Sequence, residues 1–311
     1  MRQSRADPGD TVGSRAVPTV TYLRERRRSE NFPVALRVLP RDLRTHLGRL
    51  YDVARVIDDA GDQAVLDGRS ASARAEADRT EGLLALRADL DTIWAGGTPV
   101  TPALRELAAT VRECGLPRQP FADLIEANLR DQTVTAYQTY EDLLGYCALS
   151  ANPVGRLVLA VFGASTPQRL EWSDRVCSAL QIIEHCQDVG EDLRAGRIYL
   201  PREDLDRFGV SRRQLGTSTC SPQLRHLIEF EALRALGLLD EGRPLLRELR
   251  GWARLAVSGY VAGGRAAVGA LRRGGWSVLP KAPRAGSRSV AVEALAVLAI
   301  AALPAKHRGV S

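Results

Sequence analysis

The sequence predicts an all-α fold, and three features carry that expectation. From about Phe32 onward apolar residues recur at three- and four-residue spacings, no run of alternating β-branched residues interrupts them, and the periodic segments are bounded by helix start and stop signals. Helices are expected at about 40–60, 71–94, 102–114, 120–132, 141–162, 167–194, 202–208, 222–240 and 244–270. Thr101-Pro102, Thr166-Pro167 and Ser221-Pro222 each place a capping hydroxyl before a proline at the first helical position, which marks three of the starts. Asn152-Pro153 predicts a break inside the 141–162 segment, because proline removes a helix donor.

The two ends differ from the middle. Gly, Pro and Ser recur through the first two dozen residues, so 1–27 read as a mobile arm. Pro280, Pro283, Gly286 and Ser287 interrupt the helical pattern, so 281–311 read as an appended tail able to associate with a surface. Its apolar stretch from Ala294 to Ala305 holds 12 residues, short of the roughly 20 that span a bilayer. The expected domain is therefore 28–280.

Of the 311 residues 45% are apolar, 26% charged and 5% aromatic, which excludes a disordered chain and a multi-span membrane protein. The net charge is +6, and since only Lys281 and Lys306 are lysines, 41 of the 43 basic residues are arginine. The cluster Arg24, Arg26, Arg27 and Arg28 suits an anionic partner, RNA or a membrane, but Glu25 dilutes it and no aromatic-rich motif accompanies it; nucleic acid is not expected. Five cysteines without a C-x-x-C pair give neither a disulfide framework nor a zinc knuckle, and together with the lack of an apolar leader they predict a cytoplasmic protein.

Two acidic pairs carry the chemistry. In Tyr51-Asp-Val-Ala-Arg55-Val-Ile-Asp58-Asp59-Ala-Gly-Asp62, the residues Asp58 and Asp62 continue a polar stripe through Arg55, Tyr51, Gly48 and Arg44. In Gln181-Ile-Ile-Glu184-His185-Cys-Gln187-Asp188-Val-Gly-Glu191-Asp192, a continuous helix puts Gln181, Glu184, His185, Asp188 and Asp192 on one face. Aspartates four apart repel and are poor mid-helix residues, so helix stability explains neither pair. Mg²⁺ prefers carboxylate oxygens, keeps several waters, and usually takes one or two carboxylates plus phosphate oxygens. Two facing helices could thus hold Mg²⁺ and, through it, a diphosphate. The competing reading is two solvated acidic faces paired to arginines.

These residues resemble the squalene/phytoene synthase family. The first acidic helix is similar to that family's first aspartate-rich motif, and Gln187-Asp-Val-Gly-Glu-Asp192 followed by Gly196-Arg-Ile-Tyr-Leu-Pro201 to its second. Tyr146-Cys147 with Ser150-Ala-Asn-Pro-Val-Gly155, and Tyr260-Val-Ala-Gly-Gly264, resemble later family segments. Glu30-Asn31-Phe32-Pro33 with Glu184, His185 and Gln187 is most like the bacterial hydroxysqualene synthase branch.

The resemblance implies a single-domain isoprenoid synthase fold with a central cavity between helices. It implies Mg²⁺-dependent conversion of presqualene diphosphate and water to hydroxysqualene and diphosphate, a step toward squalene and hopanoids. The alternative is condensation of two farnesyl diphosphates to presqualene diphosphate or squalene. Asp58, Asp62, Asp188 and Asp192 would bind Mg²⁺, with Asp59 turned about 100° away. Arg55 would meet the diphosphate or pair with an Asp; Tyr51, Tyr137 and Tyr146 would stabilise positive charge, bond the diphosphate or serve the structure; and Glu184 or His185 would orient or deprotonate the capturing water. Leu157, Val158, Val161 and Phe162 would line the cavity. No nicotinamide motif is present, and peripheral contact with the inner face of a membrane and with other enzymes of the squalene pathway is implied.

Overall fold

The computed structural model describes residues 38–66 and 73–302, with side chains outside 63–75 and 300–302. The arginine cluster at 24–28 and the segment Glu30 to Pro33 lie outside the described residues. Among those described, helices account for all regular structure apart from one isolated bridge between Ala136 and Ile198. They are α1 (Arg41–Leu66), α2 (Ala73–Asp91), α3 (Pro102–Cys114), α4 (Gln119–Arg130), α5 (Tyr140–Ser150), α6 (Asn152–Val161), α7 (Pro167–Gln187), α8 (Val189–Arg194), α9 (Arg202–Arg207), α10 (Arg212–Leu215), α11 (Pro222–Glu241), α12 (Pro244–Glu248), α13 (Gly251–Arg273) and α14 (Ser287–Ala302).

Periodicity decides which face each helix buries. On α1, Leu47, Leu50, Val53 and Ile57 pack against Leu83 and Leu90 of α2, Leu104 and Leu107 of α3, and Leu157, Val158 and Val161 of α6. Truncating a fully buried member such as Leu107 to Ala costs about 2 to 5 kcal/mol. The opposite face of α1 keeps Tyr51, Arg55, Asp58 and Asp59 half-buried. α7 runs through the middle of the molecule, packed by α6, α11 and α13. Its contact with α6 is close because Gly155 carries no Cβ: one there would run into Ser173 and Cys177.

Thr166 and Ser221 cap as expected, accepting from the backbone N–H of Arg169 at 3.3 Å and of Leu224 at 3.2 Å. Thr101 does not. Its hydroxyl and backbone N–H turn to the Asp89 carboxylate, which also takes the Val100 N–H at 2.6 Å and is held below the usual carboxylate range by these donors.

Several segments depart from the expected boundaries, and α1 runs on to Leu66 where an end near 60 was expected. The break at Asn152-Pro153 separates α5 from α6 as foreseen, but the 167–194 segment is also interrupted, at Asp188, where φ −99° and ψ 15° end α7 and α8 begins. The 244–270 segment divides into α12 and α13 because Leu249 is extended and Gly251 takes φ 53°. The short α10 lacks enough turns to show a period. Beyond Lys281, α14 packs on α13 through buried Val297 and an Arg265–Glu293 ion pair at 3.4 Å, so the stretch read as an appended tail carries a wall of the fold.

Candidate active site

The end of α1 carries the first acidic pair. Asp58 is half-buried, and Asn128 of α4 donates to its Oδ1 at 3.4 Å. Burial, with Asp62 and Asp59 adding to it, pushes the Asp58 carboxyl up to about 6, against the opposing pull of Arg55 and Asn128. Arg55 itself pairs with Asp59 at 3.3 Å, while its Nε is buried with no hydrogen-bond partner. Gly61 permits the approach of α4, since a Cβ there would press on the Asn128 side chain.

The second pair sits at a corner, not along one helix face. Asp188 leaves α7, and its carbonyl accepts the N–H groups of Glu191 and Asp192 at 2.8 Å each, which starts α8 in a new direction. Burial raises the Asp188 carboxyl, Glu191 adds to the rise, and Arg284, 3.6 Å away, opposes it. The expectation that Gln181, Glu184, His185, Asp188 and Asp192 share one helical face is corrected accordingly. Helical period continued through Val189 and Leu193, so the pattern did not reveal the corner.

One side chain joins the two motifs. The Arg197 N–H donates to the Asp192 carbonyl at 2.8 Å, and its guanidinium reaches Asp62 Oδ1 at 2.7 Å and Asp131 Oδ2 at 3.3 Å. Asp131 Oδ2 also accepts from the hydroxyls of Tyr146 at 2.7 Å and Tyr199 at 3.3 Å. Burial still raises the Asp131 carboxyl, whose Oδ1 has no partner. Tyr199 stacks on His185 with ring centroids 3.8 Å apart at 14°, and Tyr137 packs against both Tyr146 and Tyr199.

This layer places two of the expected catalytic residues. The Gln181 amide donates to His185 Nε2 at 3.2 Å, which leaves the neutral ring's proton on Nδ1, 3.7 Å from the Asp192 carboxylate. His185 thus stands beside Asp192, and the Tyr146 hydroxyl holds Asp131. Burial raises both the Tyr146 and Tyr137 hydroxyls well above their ordinary value, so neither is a source of phenolate. Tyr51 lies on the half-buried face of α1 one turn before Arg55.

A cavity of about 400 Å³ opens between α7, α13 and α14. Glu184, Gln187 and Arg284 form its polar end next to Asp188, and Leu180, Ile183, Leu255, Ala294 and Leu298 continue it as apolar wall. Leu157, Val158, Val161 and Phe162 pack instead in the core shared with α1, so their expected place in this wall is corrected: α6 turns that side toward α1 and α3. Among the described residues no group of three or more His, Cys, Asp or Glu side chains is spaced to hold a metal alone. The donor set fits Mg²⁺ nonetheless, because that ion needs only one or two carboxylates beside phosphate oxygens. Arg197 and Arg284 already stand against Asp62 and Asp188, marking positions that draw positive charge.

The helical architecture is that of an isoprenoid synthase fold. The squalene/phytoene synthase profile matches residues 25–289. The chain is 36% identical over 224 residues to the hydroxysqualene synthase of Rhodopseudomonas palustris, covering 72% of each chain. It is 34% identical to a phytoene synthase of Mycobacterium bovis, covering 71% of this chain and 70% of that one. Among solved structures, squalene synthase HpnC from Alicyclobacillus acidocaldarius superposes with a TM-score of 0.72 at 40% identity, over 82% of this chain and 94% of its own. The chain belongs to the squalene/phytoene synthase family, whose members process prenyl diphosphates.

Sequence reasoning missed Arg197, Asp131, Asn128, Tyr199 and Arg284. Arg197 and Tyr199 lie in the Gly196 to Pro201 run that carried the resemblance, and their invitation to a role was their place directly after the second acidic pair. Asp131 and Asn128 end a helix with no distinguishing spacing.

Proposed function

We propose that this enzyme converts presqualene diphosphate and water to hydroxysqualene and diphosphate, in the route to squalene and hopanoids. One observation carries the reading: the two acidic pairs, far apart in sequence, are tied by Arg197, and Asp188 of the second pair adjoins the polar end of an apolar cavity through Arg284. The match to hydroxysqualene synthases in Rhodopseudomonas palustris and in Zymomonas mobilis, the latter at 35% identity, supports this branch of the family.

Asp58, Asp62, Asp188 and Asp192 would hold Mg²⁺, which when bound neutralises the leaving diphosphate. Arg55, half-buried beside Asp58 with an unpartnered Nε, and Arg284, more than half exposed at the mouth, are the guanidinium groups available to the diphosphate oxygens. Asp131, held by Tyr146, Tyr199 and Arg197, fixes the geometry of the mouth, and His185 fixes Asp192. The C–O bond ionises, the cyclopropylcarbinyl cation rearranges within apolar walls, and a water oxygen bonds to the resulting carbocation. The proton released from that water passes to Glu184, which lines the cavity one turn from Asp188; His185 Nε2 is taken by the Gln181 amide.

Purified protein with Mg²⁺ is given presqualene diphosphate and farnesyl diphosphate separately, and products are identified by mass spectrometry. Hydroxysqualene from presqualene diphosphate alone is expected, lost in Asp58→Ala and Asp188→Ala. Turnover of farnesyl diphosphate alone assigns the condensing reaction to presqualene diphosphate or squalene instead.

A further inference from the structure

The run from Arg197 to Glu203 is zipped to the segment that leads into α5. The Ile198, Arg202 and Glu203 N–H groups donate to the carbonyls of Thr135, Tyr137 and Gln138 at 2.8, 2.9 and 3.0 Å, and the Tyr140 N–H donates back to the Glu203 carboxylate at 2.7 Å. One end of this zip holds Arg197 against Asp62 and Tyr199 against Asp131. The other end runs into Asp204, and there a second charged cluster begins.

Asp204 of α9 and Glu231 of α11 are buried, 3% and 1% exposed, and both face one cation. Nη2 of Arg234 donates to Asp204 Oδ2 at 2.7 Å and to Glu231 Oε1 at 2.6 Å, while its guanidinium lies over the Tyr140 ring at 3.6 Å. Arg234 thus clamps α9, α11 and the start of α5 together. The charges do not balance. Two carboxylates share one guanidinium, and Glu231 Oε2 and Arg234 Nε are buried with no partner. Among the described residues, the other groups facing Glu231 are Cys186 of α7 and Tyr140 of α5, whose thiol and phenol burial keeps neutral. Arg207 of α9 is turned to the Phe230 ring, 4.7 Å away, and α13 meets α11 through apolar Val268 and Leu271. One bound proton relieves two buried anions that share a cation.

We propose that Asp204 and Glu231 share a proton under Arg234 and make the clamp a pH-sensitive positioning device for Arg197 and Tyr199, tight while the pair is protonated and slack once both acids are charged. The three residues touch no reacting group; they act on the mouth through the zip, whichever prenyl diphosphate the site receives. Burial, with Asp204 adding to it, lifts the Glu231 carboxyl from 4.5 to about 7 against the pull of Arg234. The clamped value lies above the released one, so the clamp is tightest below about pH 4.5 and weakens as pH rises to about 7.

The test is amide hydrogen exchange of the full chain at pH 5.5 and pH 8, with each rate corrected for its intrinsic pH dependence so that protection reports opening. Protection of the Ile198, Arg202, Glu203 and Tyr140 N–H groups should fall roughly tenfold over that range. Glu231→Gln keeps an oxygen for Arg234 and offers an amide donor to Asp204, so it should hold the same protection within about twofold. Thermal melting checks that the variant is folded, and Asp204→Asn, which also removes one of the two charges, takes its place if it is not. Protection that does not change with pH in the wild type overturns the proposal. So does a fall that persists in the folded variant, which would place the titration at Asp131 beside Tyr199. Exchange at the four amides that accelerates in about 1 M urea as steeply as at Leu107 and Val111 of α3 would mark global unfolding, and would overturn the local clamp as well.

Discussion

Asp58→Asn should stabilise the metal-free protein at neutral pH while removing its activity. Burial lifts the Asp58 carboxyl from 3.8 to about 6, so at pH 7 the folded chain carries a charge that its surroundings disfavour. Two units at about 1.4 kcal/mol each give roughly 3 kcal/mol. The group is half-buried, and discounting for the solvent that reaches it leaves about 1 to 2 kcal/mol. The sign follows from linkage: the folded-state value lies above the unfolded one, so the charge penalty is full above about pH 6 and vanishes as pH falls toward 3.8. Asparagine keeps the oxygen that Asn128 contacts and loses only the charge. Urea unfolding with chelator present, at pH 7.5 and pH 4.5, checks this. A gain in midpoint at pH 7.5 that falls to about a third at pH 4.5 is expected; a loss at pH 7.5, or a gain independent of pH, refutes the placement of Asp58 in a charge-averse site.

Two further substitutions probe what holds the mouth together. Arg197→Met leaves Asp131, only 7% exposed, without its guanidinium and unlinks Asp62 from the second motif, so urea unfolding should report a loss of about 3 kcal/mol, together with weaker diphosphate binding in calorimetry. Gly155→Ala drives a methyl into Ser173 and Cys177 where α6 crosses α7, and a fall in melting temperature corresponding to about 1 to 3 kcal/mol is expected by calorimetric scanning.

The fold was legible because it depends on period. Leu47, Leu50, Val53 and Ile57 show one face of α1 in the sequence just as they pack in the core, and the same stripe displays Arg55, Asp58 and Asp62 opposite. What period cannot show is a change of direction that keeps the period, as at Asp188, or a residue whose importance lies in a contact far along the chain. Arg197 reaches Asp62 across 135 residues, and Asp131 gathers Tyr146, Tyr199 and Arg197 from three separate segments. Spacing also does not show that the buried polar side chains of His185 and Tyr146 meet partners in Gln181 and Asp131. Glu184 is different because its neighbours in space include the cavity. The wall was misplaced for a related reason: α6 and α14 are equally apolar, and only packing tells which one faces empty space.

Charge at the mouth finally decides what can bind there. Asp58, Asp59, Asp62, Asp131, Asp188, Glu184, Glu191 and Asp192 of the two acidic motifs and their neighbours outnumber the cations Arg55, Arg197, Arg284 and Lys281, even though the whole chain carries +6. Diphosphate brought to such a surface alone is repelled, by about 1 kcal/mol per close pair in water and severalfold more where solvent is partly excluded. Divalent cations placed between carboxylates and phosphate oxygens reverse the sign of every one of those contacts. Inorganic diphosphate should therefore show no measurable calorimetric binding in the presence of chelator, and binding should return as Mg²⁺ is titrated in; tight binding without a divalent cation would mean that the three arginines, not the aspartates, receive the anion.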